Sequence, residues 1–123
     1  MLIQESGEMY LESILVITKE KGRARSVDVA EYLGVSKPSV SQAMSNLKAL
    51  GFVVVEQDGS LVLTQSGFGT ASKIYERHTV IAKMLERIGV SSSTASKDAC
   101  RIEHVISDEA FEAIKVYTES NSL

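Results

Sequence analysis

An abrupt change of periodicity at Phe52 constrains the fold of this chain more than any other feature. Upstream, Ser26 precedes a short amphipathic segment, Val27–Leu33, which Gly34 stops; Ser26 reads as the N-cap. The turn Gly34-Val35-Ser36 leads to a second cap at Ser36, with Pro38, the single proline, in the first turn of the next helix. There Val40, Met44, Leu47 and Leu50 form an apolar stripe expected to face the core, and Gly51 closes the helix. From Phe52 the pattern becomes Val53-Val54-Val55, Asp58-Gly59, Leu61-Val62-Leu63, two strands around a tight turn. A leading helix over 5–21 shows Met9, Leu11, Ile14, Leu15 and Ile17 at helical spacing. Helix, short helix, turn, helix, hairpin is the order of a winged helix-turn-helix.

Downstream the pattern is helical again. It runs from Thr64 to about Ile88, with Gly67 and Gly69 weakening the first turns, so the firm helix is expected near Thr70. Ser91–Thr94 is a polar connector, and helices follow near 94–105 and 108–118, split by a capping signal at Ser107-Asp108-Glu109. The expected fold is mostly α with a small β-hairpin. A winged helix-turn-helix domain is expected over 1–70 and a helical domain over 71–123.

Composition narrows the function classes. No apolar run approaches the roughly 18 residues of a membrane span. Met1-Leu2-Ile3 runs straight into Gln4-Glu5, without the pattern of a secretory signal. A single cysteine makes no internal disulfide and suits a reducing compartment, so a cytoplasmic protein without a membrane partner is expected. The net charge of −3 hides a gradient. Lys21, Arg23, Arg25, Lys37 and Lys48 outnumber Asp28 and Glu31 over 21–50, whereas acids dominate 1–20. A duplex meets the local surface rather than the sum.

The helix after Ser36 offers Ser36, Lys37, Ser39, Ser41, Gln42, Ser45 and Asn46 opposite its apolar stripe. Small hydroxyls at a helix N-terminus allow close approach to phosphate oxygens, aided by the positive end of the dipole. Gln42 can pair with an adenine edge and Pro38 can pack on a thymine methyl. Lys37, Arg23 and Arg25 suit phosphates. The tip Gln57-Asp58-Gly59-Ser60 lacks basic residues and is expected to add little affinity.

The second chemical constellation is Cys100-x-x-Glu103-His104. Spacings of three and four place a thiolate, a carboxylate and an imidazole on one face of a helix. Cys100 is the only cysteine and His104 one of two histidines; the other, His78, lies on the preceding helix. Mixed S, O and N donors suit a divalent transition metal better than Mg²⁺ or Ca²⁺. The plain alternative is a buried thiol beside a surface Glu–His pair.

Taken together, EMYLESI (8–14), SKPSVSQAMSNLKALGFV (36–53), LVLTQSG (61–67), ERH (76–78) and ACRIEHVISDE (99–109) resemble the diphtheria-toxin-repressor and manganese-transport-regulator family of metal-activated repressors. The resemblance covers roughly 5–120. It implies that Met9, Cys100, Glu103 and His104 stand at the principal ligand positions of the iron-responsive branch. Glu12 and His78 stand at additional ligand positions of the manganese-responsive branch. It further implies DNA contacts at Ser36, Pro38 and Gln42, and dimerisation through the C-terminal helices. Two positions depart from the iron branch: Ala82 replaces a glutamate, and Ser96 replaces a histidine. A second metal site of that type is therefore expected to be missing or to rely on Glu12 and His78. The third, SH3-like domain of longer members is also expected to be absent.

The implied activity is repression by a homodimer that binds a double-stranded operator when loaded with Fe(II) or Mn(II). Thioether and thiolate soften the site towards Fe²⁺, Co²⁺, Ni²⁺ or Zn²⁺, while Glu12, Glu103 and the imidazoles keep it accessible to Mn²⁺. Met9 also reads as a core methionine. A redox- or ligand-sensing winged-helix regulator, with Cys100 as a reactive thiol, is the alternative. A metallohydrolase using Glu103 as base lacks any catalytic signature, so no enzyme is expected.

Overall fold

The computed structural model describes residues 5–120. Met1–Gln4, on which the reading of the leader rested, lie outside the described residues. The elements are α1 (Glu5–Lys21), α2 (Ser26–Leu33), α3 (Lys37–Ala49), β1 (Val53–Val55), β2 (Leu61–Leu63), α4 (Gln65–Arg87), α5 (Ser92–Ile102) and α6 (Asp108–Ser120). The chain divides into two compact units, one ending at Ser72 and the next beginning at Lys73, a boundary inside α4. Among the described residues no helix is long and apolar enough to cross a membrane.

The first unit is a winged helix-turn-helix. Leu11 and Ile14 of α1, Val29 of α2 and Val40 of α3 are fully buried in one apolar cluster, joined by Met44, Leu47, Val53 and Leu61. Each such aliphatic side chain contributes about 1.5–3 kcal/mol relative to exposure. Strands β1 and β2 pair antiparallel with Val53 opposite Leu63 and Val55 opposite Leu61. At the turn Gly59 has φ 87°, and its N–H donates to the Glu56 carbonyl at 2.9 Å. An isolated bridge adds a contact that periodicity did not show: Leu61 N donates to Ala24 O at 2.8 Å.

Several local expectations are corrected. The N-cap of α2 is Arg25, not Ser26, because the Asp28 carboxylate reaches back to accept from Arg25 N at 3.0 Å. Gly34 does end α2, in the left-handed region at φ 69°. Ser36 does cap α3, accepting from Ser39 N at 3.2 Å, with Pro38 in the first turn. Leu50, expected in the core, is 39% exposed, because α3 ends at Ala49 and Leu50 is its C-cap. Helix α4 is regular from Gln65 rather than Thr70. Thr64 secures that start, its Oγ1 accepting from Gly67 N at 3.1 Å.

In the second unit Ile81 of α4, Ala99 of α5 and Phe111 of α6 form the buried centre, with Val80, Leu85, Ile102 and Ile106 against it. Ser91 caps α5, accepting from Thr94 N at 3.3 Å. Ser107 caps α6, accepting from Ala110 N at 3.0 Å. Helix α5 stops at Ile102, three residues before the expected end.

Candidate metal centre and nucleic-acid interface

Cys100 is on the last turn of α5, Glu103 is its C-cap, with helical backbone angles of φ −57° and ψ −26°, and His104 lies in the turn that follows. Glu103 is still held to the helix, its N–H donating to Ala99 O at 2.9 Å. Its side chain is fully buried, whereas Cys100 is exposed, contrary to the buried-thiol alternative.

Two imidazoles flank the Glu103 carboxylate. His78 Nδ1 of α4 donates to Oε1 at 2.8 Å, and His104 Nε2 stands 3.4 Å from Oε2. The His104 side chain is 2% exposed. Among the described residues Oε2 accepts no hydrogen bond although it is buried. One ligand-capable atom from each of His78, Cys100 and Glu103 lies within 4.8 Å of the others. A buried carboxylate oxygen left without a hydrogen bond is costly, and a cation satisfies it. Sulfur, oxygen and nitrogen converging in this way fit a divalent transition metal.

Ala82 and Ser96, the two departures from the iron-branch pattern, line a cleft beside His78. Neither brings a carboxylate or imidazole to that cleft. On α1, Met9 is 39% exposed, so it is not a core methionine. Glu12 lies one turn further along and is half-buried.

Arg77 carried no assigned role in the sequence reading. It occupies the apolar stripe of α4, three residues after buried Ile74 and four before buried Ile81, and is only 7% exposed. A charged residue in such a stripe is the signal that could have marked it. Its Nη1 donates to Glu103 O at 3.1 Å and to Ile106 O at 2.9 Å, and its Nη2 pairs with Asp108. The Arg77 guanidinium carbon stands 5.5 Å from the centre of the Phe111 ring. Lys73 also reaches Asp108, at 3.1 Å. That hydrogen bond, reinforced by the two cations, holds the Asp108 carboxyl below its ordinary range.

In the first unit Ser36, Lys37, Pro38, Ser39, Ser41, Gln42, Ser45 and Asn46 are all exposed on α3, while Val40, Met44 and Leu47 are buried. One face of α3 is thus free to meet a groove. Arg23 is exposed but engaged, its Nη1 donating to Asp58 at 3.0 Å across the hairpin tip. Arg25 is half-buried. The Ser60 backbone N–H, with smaller contributions from the Ser60 hydroxyl, Arg23 and Arg25, lowers the Asp58 carboxyl below its ordinary range.

The family model described as the iron-dependent repressor N-terminal DNA-binding domain matches residues 2–61. The model described as the iron-dependent repressor metal-binding and dimerisation domain matches residues 64–121. An uncharacterised HTH-type transcriptional regulator of Methanocaldococcus jannaschii is 34% identical over 119 residues, 95% of each chain. The transcriptional regulator MntR of Salmonella typhimurium is 36% identical over 112 residues, 91% of this chain and 71% of that protein. Among solved structures, IdeR of T. acidophilum superposes with a TM-score of 0.80 at 26% identity, covering 94% of this chain. The present chain spans 54% of the IdeR chain.

Proposed function

Because the chain belongs to the iron-dependent repressor family, we propose that it is a metal-dependent transcriptional repressor, a homodimer that binds operator DNA when loaded with Fe(II) or Mn(II). The observation that carries this reading is Glu103, a buried carboxylate flanked by His78 and His104 with the Cys100 thiol beside it. His78, Cys100, Glu103 and His104 are the proposed ligands from the second unit. Met9 and Glu12 of α1 are the proposed ligands from the first. A bound cation supplies positive charge that neutralises the thiolate and carboxylates.

The residues of α3 do the reading. Gln42 addresses a base edge, Pro38 a thymine methyl, and Ser36, Lys37 and Ser39 the phosphates, with Arg23 and Arg25 as further phosphate contacts. A homodimer presents two such helices to half-sites about 34 Å apart. For the population to pass from mostly unbound to mostly bound, the competent state must bind the cation more tightly by about 5.5 kcal/mol. The 64–121 segment, which carries the dimerisation model, holds the proposed partner surface. We place the protein in the cytoplasm and assign the centre a regulatory rather than a catalytic role.

The test is operator binding titrated against Fe²⁺, Mn²⁺, Zn²⁺ and Co²⁺, with a chelated control. Affinity should rise with metal and fall on chelation; equal affinity in both conditions sinks the proposal. The exposure of Cys100 also allows a thiol that senses oxidants. Replacing His104 by alanine separates the two, since oxidant sensing survives that change and metal dependence does not.

A further inference from the structure

We propose that Arg77 is a positioning residue for the metal centre, fixing the turn that carries Glu103 and His104 before any cation arrives. The inference rests on the metal-binding reading above and adds a residue that contacts no ligand atom itself.

The need for such a residue follows from where α5 stops. Beyond Ile102 the chain turns, with Val105 N and Ile106 N both donating to Ile102 O at 3.0 Å. Carbonyls at a helix C-terminus have no following helical N–H to accept from, and burial makes leaving them unsatisfied costly. Glu103 O and Ile106 O, at the two ends of the turn, are bridged by the single nitrogen Nη1 of Arg77. Its Nη2 is anchored on Asp108, the first residue of α6. A guanidinium is suited to this because its planar fork holds several donors in fixed directions.

The neighbour of Arg77 in sequence is His78, whose Nδ1 donates to Glu103 Oε1. Two consecutive residues of α4 therefore grip Glu103 from both sides, Arg77 by its backbone carbonyl and His78 by its side chain. The Glu103 carboxylate is then confined beside Cys100 and His78, with His104 at its other oxygen. Confinement before binding removes an ordering cost that would otherwise be paid by the metal affinity. Partners of this kind typically change metal affinity by roughly 10- to 100-fold.

The experiment uses the full chain and Co²⁺ as probe, comparing wild type with Arg77→Met, Arg77→Lys and Asp108→Asn. Calorimetry gives affinity, the thiolate-to-cobalt absorption reports Cys100 ligation, and amide exchange of the metal-free chain reports order at Val105 and Ile106. We expect Arg77→Met to weaken Co²⁺ binding by roughly 10- to 100-fold. Its absorption at saturation should match wild type, and exchange at Val105 and Ile106 should be faster. Arg77→Lys should recover part of the loss.

If Arg77→Met fails to fold, Asp108→Asn decides, because Asp108 is largely exposed. It should weaken Co²⁺ binding several-fold with the same exchange signature. Unchanged affinity in a folded variant, or a lowered melting temperature with affinity and exchange intact, overturns the proposal. Wild type that binds no Co²⁺ overturns the metal reading instead, and the exchange data still show whether Arg77 orders the turn.

Discussion

Gly67 lies against the backbone of Phe52 so closely that a Cβ on it would stand 2.0 Å from the Phe52 carbonyl oxygen. The same oxygen accepts from Thr64 N at 3.0 Å, and Thr64 Oγ1 donates to Gly51 O at 2.6 Å. The start of α4 is thereby stitched to the segment between α3 and β1. In an unconstrained helix, glycine to alanine gains about 1 kcal/mol. Here the backbone has to move, and Gly67→Ala should destabilise the protein by about 1–3 kcal/mol. Urea denaturation checks this, and a stabilised variant would show that the contact is looser than described.

Glu103→Gln separates folding from binding. The amide oxygen can accept from His78 as Oε1 does now, and the amide nitrogen, replacing Oε2, can donate towards His104. The buried carboxylate is replaced by a neutral amide, so the metal-free melting temperature should hold or rise. The thermal gain on adding metal should shrink sharply, because that gain follows the logarithm of ligand concentration over Kd. A variant that loses stability without metal yet binds it normally would contradict this account of the centre.

On the DNA side the exposed face of α3 predicts two distinct mutant phenotypes. Lys37→Ala should weaken all sequences alike and reduce the log–log salt slope by about 0.9 for each phosphate that Lys37 neutralises. Gln42→Ala should cost about 1–3 kcal/mol on the cognate operator and relax preference at one base pair. Fluorescence anisotropy at several salt concentrations tells them apart. Identical behaviour of the two variants would mean that α3 does not read bases.

The hairpin tip carries an acid-sensitive lock. Asp58 has its pKa lowered in the folded protein, first by the Ser60 N–H and then by its hydroxyl and two arginines. Its contribution to stability is complete above the ordinary carboxylate range and is lost as pH falls through the lowered folded value. Wild type should therefore exceed Asp58→Asn near neutrality, and the two stability curves should converge in strong acid. Parallel curves across that window would exclude the lock.

What the sequence disclosed was local. Ser36, Pro38 and Gly34 were readable because a cap or a left-handed stop depends on residues within one turn. Ser26 misled because Asp28, two residues on, outcompeted it for the cap by serving the Arg25 N–H. Gly67 looked like a helix breaker, since its partner Phe52 is brought to it only by the hairpin. Cys100, Glu103 and His104 stood out by residue type, but spacing alone extended α5 past Ile102. The structure buries Glu103 and exposes Cys100, a difference that spacing does not carry. Arg77 was invisible as a clamp because its acceptors lie 26 to 31 residues away.

The bridge from Leu61 to Ala24 has a consequence for how this repressor can be controlled. It fastens the hairpin to the stretch joining α1 and α2, and Val53 and Leu61 are sunk in the same cluster as Val40 and Leu47 of α3. The wing cannot flap on its own without tearing a backbone hydrogen bond and uncovering apolar side chains. Any signal reaching this half must steer it as a solid piece, and tuning comes from how often that piece is presented, not from bending it.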